Sequence, residues 1–310
     1  MTAATTDRAL VVGEALIDEV ARPDGTRERH PGGSPANVAL GLGRLGRSVD
    51  LLTWLGEDAD GDLVREHLGR SNVNVLTGDR WAVRTPVATA NLDAQGVASY
   101  SFDLEWDLPS SWDESGGGPL VVHTGSIATV LQPGGAAVER LIARSQPTSS
   151  ITYDPNLRPM LMGSPADVLP VVDALVRLSD VVKVSDEDLA WLLPGVAPAE
   201  IAEQWSRSGP SLVVVTHGPD GAFASTSAGA RLHVPGLRVD VVDTVGAGDS
   251  FMGGLIDGLW SVGLLGAASR QALADASPAV IQTVLERCVR IAAITVSRAG
   301  ANPPLARELI

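Results

Sequence analysis

The chain has 310 residues, 45% of them hydrophobic, and carries a formal net charge of −14 with a pI near 4.7. That length suits one large α/β domain with a small appendage and allows a substantial buried core. The acidic balance leaves no basic face for nucleic acid or an anionic membrane. A single cysteine, Cys288, excludes an intrachain disulfide and fits a reducing, cytoplasmic setting, and no run approaches a membrane span or a secretory leader.

In chain order, residues 9–15 read as a buried first strand, with Asp18 just past its C-terminal end, the edge where open α/β sheets bind ligands. The polar stretch 19–30, around Pro23-Asp-Gly25, reads as a hairpin leaving the main body. Pro31-Gly32-Gly33-Ser-Pro-Ala-Asn37 then opens a helix rich in small residues. Gly32 and Gly33 permit close backbone approach and Asn37 falls in the first helical turn, which suits a polar ligand but equally suits a plain helix cap.

Val49 to Trp54 reads as a strand and Asp62 to Leu68 as a helix. Residues 82–92 and 97–103 alternate around Asp93-Ala-Gln-Gly96, a hairpin pattern whose Tyr100, Phe102 and nearby Trp106 are hard to leave in water. Short apolar runs at 120–123, 151–153, 181–184 and 212–216 are separated mostly by helical runs near 134–145, 164–178 and 198–207. Such β-α alternation predicts a mainly parallel sheet covered on both faces, with ligand residues just after the strands.

Several candidates stand there. Arg158, in Asp154-Pro-Asn156-Leu-Arg158, can neutralise phosphate or a substrate carboxylate, or simply pair with a surface acid. Asp186, Glu187 and Asp188 form an acidic first helical turn, and Thr216-His-Gly218-Pro-Asp-Gly221 reads as a hairpin turn. A β-rich run at 237–242 leads into Asp243-Thr-Val245-Gly246-Ala247-Gly248-Asp249-Ser-Phe-Met-Gly-Gly254, which reads as strand, Gly-rich turn and helix, with Phe251, Leu255 and Leu259 on one apolar stripe. Gly246, Ala247 and Gly248 make an anion-binding helix start, and Asp249 beside it suits a general base. Neither a Walker A lysine nor a dinucleotide turn is present. Ser277-Pro278 starts a last helix that runs to about Val296.

Asp243-Thr-x-Gly-Ala-Gly-Asp-Ser-Phe resembles the C-terminal signature of the ribokinase-like (PfkB-type) carbohydrate kinases, and Gly32-Gly-x-x-x-Asn37, followed by Gly46, resembles the N-terminal one, roughly 210 residues earlier. The resemblance extends over roughly 8–304. It implies a three-layer α/β/α fold with a mainly parallel sheet and a small β-sheet lid, built from about 19–30 and 82–104, over a single domain spanning 1–310.

It also implies an ATP-dependent sugar kinase. Asp249 would be the catalytic base, with the backbone at Gly246, Ala247 and Gly248 as anion hole. Asp18, Gly32, Gly33, Asn37 and Arg158 would bind sugar. Lys183, Ser185, Thr216, Gly218, Gly221 and Gly248 would lie along the nucleotide. Lys183-Val-Ser185-Asp-Glu187-Asp188 is similar to the family's Asn-x-x-Glu element, which organises magnesium through water. Ser185 stands where Asn is usual and Asp188 where Glu is usual, so Glu187 and Asp188 both remain candidates. Asp243, Val245, Thr295, Arg298 and Gly300 would form a potassium site, mainly through backbone, and the lid would join two copies as a homodimer. The Gly-Glu-Ala-Leu-Ile-Asp18 start and Asp-Pro-Asn-Leu-Arg158 look fructokinase-like, making fructose the first expectation and 2-keto-3-deoxygluconate the second. A ribose or nucleoside acceptor is a lesser expectation, and a non-catalytic sugar-binding regulator is the alternative of another class.

Overall fold

The structure, a computed structural model, describes residues 6–93, 95, 97–109, 111 and 118–309. Along the chain, β1 (Thr6–Val12) is followed by β2 (Leu16–Ala21), β3 (Arg27–Gly32), α1 (Ser34–Arg44), β4 (Val49–Leu52), α2 (Ala59–Gly69) and β5 (Val73–Leu76). Next come β6 (Val87–Leu92), β7 (Ala98–Asp103), β8 (Pro119–Gly125), α3 (Gly134–Ser145), β9 (Ser150–Asp154), α4 (Pro159–Met162), α5 (Pro165–Leu178) and β10 (Val181–Ser185). The remainder is α6 (Asp186–Leu192), α7 (Pro198–Ser206), β11 (Leu212–Thr216), β12 (Gly221–Thr226), β13 (Arg231–Pro235), α8 (Ala247–Ser261), α9 (Arg270–Ala274) and α10 (Pro278–Val296).

Nine strands form one sheet in the order β13-β12-β11-β10-β9-β8-β1-β4-β5, parallel from β5 to β11 with an antiparallel β12-β13 edge. Its central strands are apolar on both sides, as a doubly covered sheet requires. Val11, Val121, Val181 and Val214 pack beneath α1, α2, α8 and α10. Their neighbours Val12, Val122, Val182 and Val213 pack beneath α3, α5, α6 and α7 on the other face. Among the described residues no helix is long and apolar enough to cross a membrane.

A second sheet, in the order β3-β2-β6-β7, stands apart from the first. Asp18, Ala88 and Phe102 are register partners across it, so they share the face that lines the cleft. Tyr100, two residues along the same strand, stacks on Phe102 with ring centroids 6.3 Å apart.

Five details differ from the sequence expectations. The first strand ends at Val12, and Asp18 sits on β2 within the small sheet rather than just past β1. A run of apolar residues does not say where a chain changes sheets; Gly13 does, since a Cβ there would stand 2.3 Å from Pro35 Cγ. The small sheet accordingly takes Leu16–Ala21, Arg27–Gly32, Val87–Leu92 and Ala98–Asp103, wider at the first hairpin and narrower at the second than 19–30 and 82–104. Residues 237–242 are exposed loop, not strand, and pair with no strand among the described residues. β5, short and carrying Asn74, went unread at the opposite edge. Trp106 belongs to the main body, where it is buried and donates from Nε1 to the Ala128 carbonyl at 2.9 Å. Of the predicted turn 93–96, residues 94 and 96 lie outside the described residues.

Candidate active site

A cavity of about 550 Å³ opens between the C-terminal edge of the main sheet and the small sheet. Asp249, the third residue of α8, lies at its base and is only 7% exposed. Three side chains orient its carboxylate. Oδ1 accepts from Ser34 Oγ at 2.7 Å and from Asn156 Nδ2 at 3.2 Å, and Oδ2 accepts from Asn37 Nδ2 at 2.8 Å. Asn156 Nδ2 also donates to Ser34 Oγ at 2.6 Å. Two donors from the first turn of α1 and one from the loop after β9 therefore fix both oxygens in place before any substrate arrives.

Local backbone chemistry puts these groups together. Gly33 caps α1 with φ 101°, and a Cβ there would strike the Glu14 carbonyl at 2.6 Å, so only glycine lets the α1 start rest on the β1–β2 connection. Asn156 has φ 38°, a left-handed conformation uncommon outside glycine that turns its amide toward Asp249. Gly246 caps α8 at φ 74°, ψ 6°, packed against Ala301. The first N–H groups of a helix have no intrahelical acceptor. Here the Ala247 N–H makes a long 3.3 Å bond to Thr244 O, and Gly248 follows it at the cavity wall. Small residues thus leave a positively polarised helix end beside a fixed carboxylate.

Asp18 and Arg158 both line the cavity with Asn37 and Gly33. Gly32 lies under Asp18, whose Oδ2 occupies the space a side chain would need, 2.0 Å from a built Cβ. Water reaches Asp18 through the cavity mouth, yet enough protein surrounds it that lost hydration, partly offset by Arg158 and His30, raises its pKa to about 6. Arg158 is exposed and folds back on its own loop, Nη1 donating to the Asn156 and Leu157 carbonyls and to Asn156 Oδ1.

Behind α8 lies a buried ion pair, Lys183 Nζ to Asp154 Oδ2 at 2.9 Å. Burial opposes the lysine's charge, but Asp154, Asp188 and Asp249 outweigh it and hold its pKa above the ordinary value. Burial likewise raises Asp154 to about 6, against the pull of Lys183. Nζ lies 2.9 Å from where a Gly248 Cβ would stand, so the glycine brings this cation to the helix start. Asp154 Oδ1 is buried without a hydrogen-bond partner.

Ser185 caps α6, accepting from Asp188 N at 3.0 Å, and Asp188 Oδ1 accepts from Leu157 N at 2.9 Å. Asp188 thus faces the Asp154 loop, whereas Glu187 is exposed. Among the described residues no group of three or more His, Cys, Asp or Glu could hold a metal ion directly. With the orphaned Asp154 oxygen near Asp188, the donor set fits a hydrated magnesium ion rather than a caged one.

The other predicted positions divide in two. Asp243 accepts from Val245 N at 3.0 Å and Gly300 N at 2.8 Å, drawing the two loops together beside Gly246. Thr295 and Arg298 reach this region through backbone, Arg298 N donating to Thr295 O at 3.1 Å, while the Arg298 side chain pairs with Glu308. Thr216, Gly218 and Gly221 form the β11–β12 turn, away from Asp249's own contacts; Gly221 packs on the Val234 carbonyl, which a Cβ would strike at 2.1 Å.

Ser34, Asn156 and Glu14 were not singled out from the sequence. All three stand within the quoted motifs, where an extra hydroxyl, an amide one residue past a proline and a single carboxyl in an apolar run are weak signals. Cys288 is buried in the core, and burial pushes its thiol well above the ordinary value.

The fold is the ribokinase-like α/β fold. A fructokinase with bound ATP from Xylella fastidiosa superposes with a TM-score of 0.83 at 26% identity, covering 98% of each chain. A fructokinase double mutant from Vibrio cholerae O395, in a fructose-, ADP- and potassium-bound form, superposes with a TM-score of 0.77 at 26% identity, over 96% of this chain and 94% of that one. Residues 6–307 match the pfkB family carbohydrate kinase model, and the chain belongs to that family. A fructokinase from Rhizobium leguminosarum bv. trifolii is 34% identical over 264 residues, 81% of this chain and 79% of its own length. The chain is accordingly an ATP-dependent sugar kinase.

Proposed function

We propose that this kinase phosphorylates fructose, transferring the γ-phosphoryl group of ATP to the 6-hydroxyl. The observation that carries the reading is the Asp249 carboxylate, held by Ser34, Asn37 and Asn156 at the open start of α8 inside a cavity of about 550 Å³. Relatives named fructokinase, one of them bound to fructose and ADP, support the choice of sugar.

In this account Asp18, Gly32, Gly33, Asn37 and Arg158 hold the sugar so that one hydroxyl faces Asp249, which takes its proton as the oxygen attacks phosphorus. The N–H groups at Gly246, Ala247 and Gly248, with Lys183 behind them, face the oxygens of the transferring group and favour their charge. Ser185, Thr216, Gly218 and Gly221 line the nucleotide side. Magnesium, when bound, neutralises charge on the phosphate oxygens. Asp188 and Asp154 are the residues that would hold its hydration shell, with Glu187 too exposed to share in it. The Asp243–Gly300 loop pair is the place for potassium, a reading supported by the potassium-bound relative.

The test is ADP release from magnesium-ATP against fructose, 2-keto-3-deoxygluconate, ribose, tagatose, adenosine and no sugar, each with and without potassium. Fructose should give the highest kcat/KM. A strong preference for another acceptor would replace fructose. Sugar binding without ADP release by folded, ATP-binding protein would mean a regulator instead.

A further inference from the structure

Glu14 lies on the connection between β1 and β2 and lines the same cavity as Asp18, Asn37, Arg158 and Asp249. It is only 4% exposed. Its carboxyl is anchored from below, Oε2 accepting from Ala128 N at 3.2 Å. Ser126, which lines the cavity with it, has φ 56°, a left-handed conformation that serine rarely adopts. Gly33 closes over the Glu14 carbonyl from the other side. A buried carboxyl held this firmly, with an open face on a sugar-sized cavity, is built to meet a ligand.

The charges around it say which ligand. Among the described residues, three carboxyl groups line the cavity, Glu14, Asp18 and Asp249, against one guanidinium, Arg158. Arg158 acts electrostatically on both Glu14 and Asp18, so the cation that would receive an anionic substrate is already shared by two carboxyls. We infer that Glu14 is a specificity-determining residue, which hydrogen-bonds a hydroxyl of a neutral sugar and rejects a sugar whose corresponding end carries a carboxylate. This rests on the sugar-kinase reading of the cavity but not on fructose being the sugar. A hydroxyl can donate to the ionised carboxyl, whereas a substrate carboxylate brought to Arg158 would lie beside a like charge that is screened from water.

The experiment compares Glu14→Gln and Glu14→Ala with the wild-type enzyme at pH 8, above the value of about 7 to which burial raises this carboxyl, so that it is charged. For each, kcat/KM is measured for the best neutral sugar of the panel and for 2-keto-3-deoxygluconate, with KM for ATP as control and thermal melting to establish folding. The wild type should favour the neutral sugar. Both variants should lower that preference by about ten-fold or more, the size of one lost charge-assisted contact, with KM for ATP unchanged. Glu14→Gln, which keeps the shape, serves should Glu14→Ala fail to fold. A preference unchanged within two-fold in Glu14→Gln would overturn the inference and leave the choice of sugar standing. A best neutral sugar other than fructose would overturn fructose and leave Glu14 in its role. A wild-type preference for the sugar acid would overturn both.

Discussion

At the scale of single residues, the site places ordinary side chains where their charge is costly. Glu14 is the clearest case: burial raises its pKa from 4.5 to about 7 in the folded chain. A group whose folded pKa lies above its unfolded one holds its proton more tightly when folded, so stability is full below pH 4.5 and falls as pH rises through about 7. Glu14→Gln removes that penalty. Its melting temperature should gain on the wild type between pH 5 and pH 8, by a difference worth up to about 3 kcal/mol; a gap independent of pH would contradict the assignment. Gly248 is a second case. In Gly248→Ala the added methyl would stand 2.9 Å from Lys183 Nζ, the movable end of a flexible side chain. The variant should fold and melt within a few degrees of the wild type, while its kcat falls about ten-fold or more because the lysine no longer backs the helix start. Unchanged kinetics would remove Lys183 from its proposed part.

Among the elements, α8 carries Asp249 in its first turn and packs along α10. Gly254 and Gly258 of α8 lie so close to α10 that a Cβ at either would come within 2.8 Å of Ile291 or Val284. The start of α10 is set by Ser277, whose side chain accepts from Val280 N at 3.4 Å, with Pro278 at the first helical position. Ser277→Ala should cost about 1 kcal/mol in chemical denaturation with kcat unaltered, since this cap is at the far end of the helix from Asp243. How legible each element was follows from how local its causes are. α3, α5 and α10 could be read to within a residue or so because their apolar stripes are local, and α5 and α10 also start at serine caps. The alternation of Leu237, Val239 and Val241 promised a strand, but a strand needs a neighbour and among the described residues this run pairs with none. The β1–β2 break was hidden because apolar residues continue across it into another sheet. In the site, Asp249, Asn37 and Gly33 were visible through their motifs. Ser34, Asn156 and Glu14 depend on contacts across 93 to 215 residues of sequence, which no local pattern reports.

On the scale of the whole molecule, the main sheet is covered by helices on both faces, whereas the small sheet has one face on the cavity and ends in a hairpin whose Val97 is 64% exposed. A four-stranded sheet with so little cover suits pairing with a second copy. Sedimentation equilibrium should therefore give twice the chain mass of 32.1 kDa; a 32.1 kDa species at assay concentrations would contradict the proposed dimer. The net charge of −14 should keep such dimers apart.

The central claim is that Asp249, oriented by Ser34, Asn37 and Asn156, removes the proton from the sugar hydroxyl. The most direct test is kcat for Asp249→Asn beside sugar binding measured calorimetrically in the same protein. The account predicts a kcat lower by about three orders of magnitude with sugar affinity largely kept. A kcat within a few-fold of the wild type would contradict it.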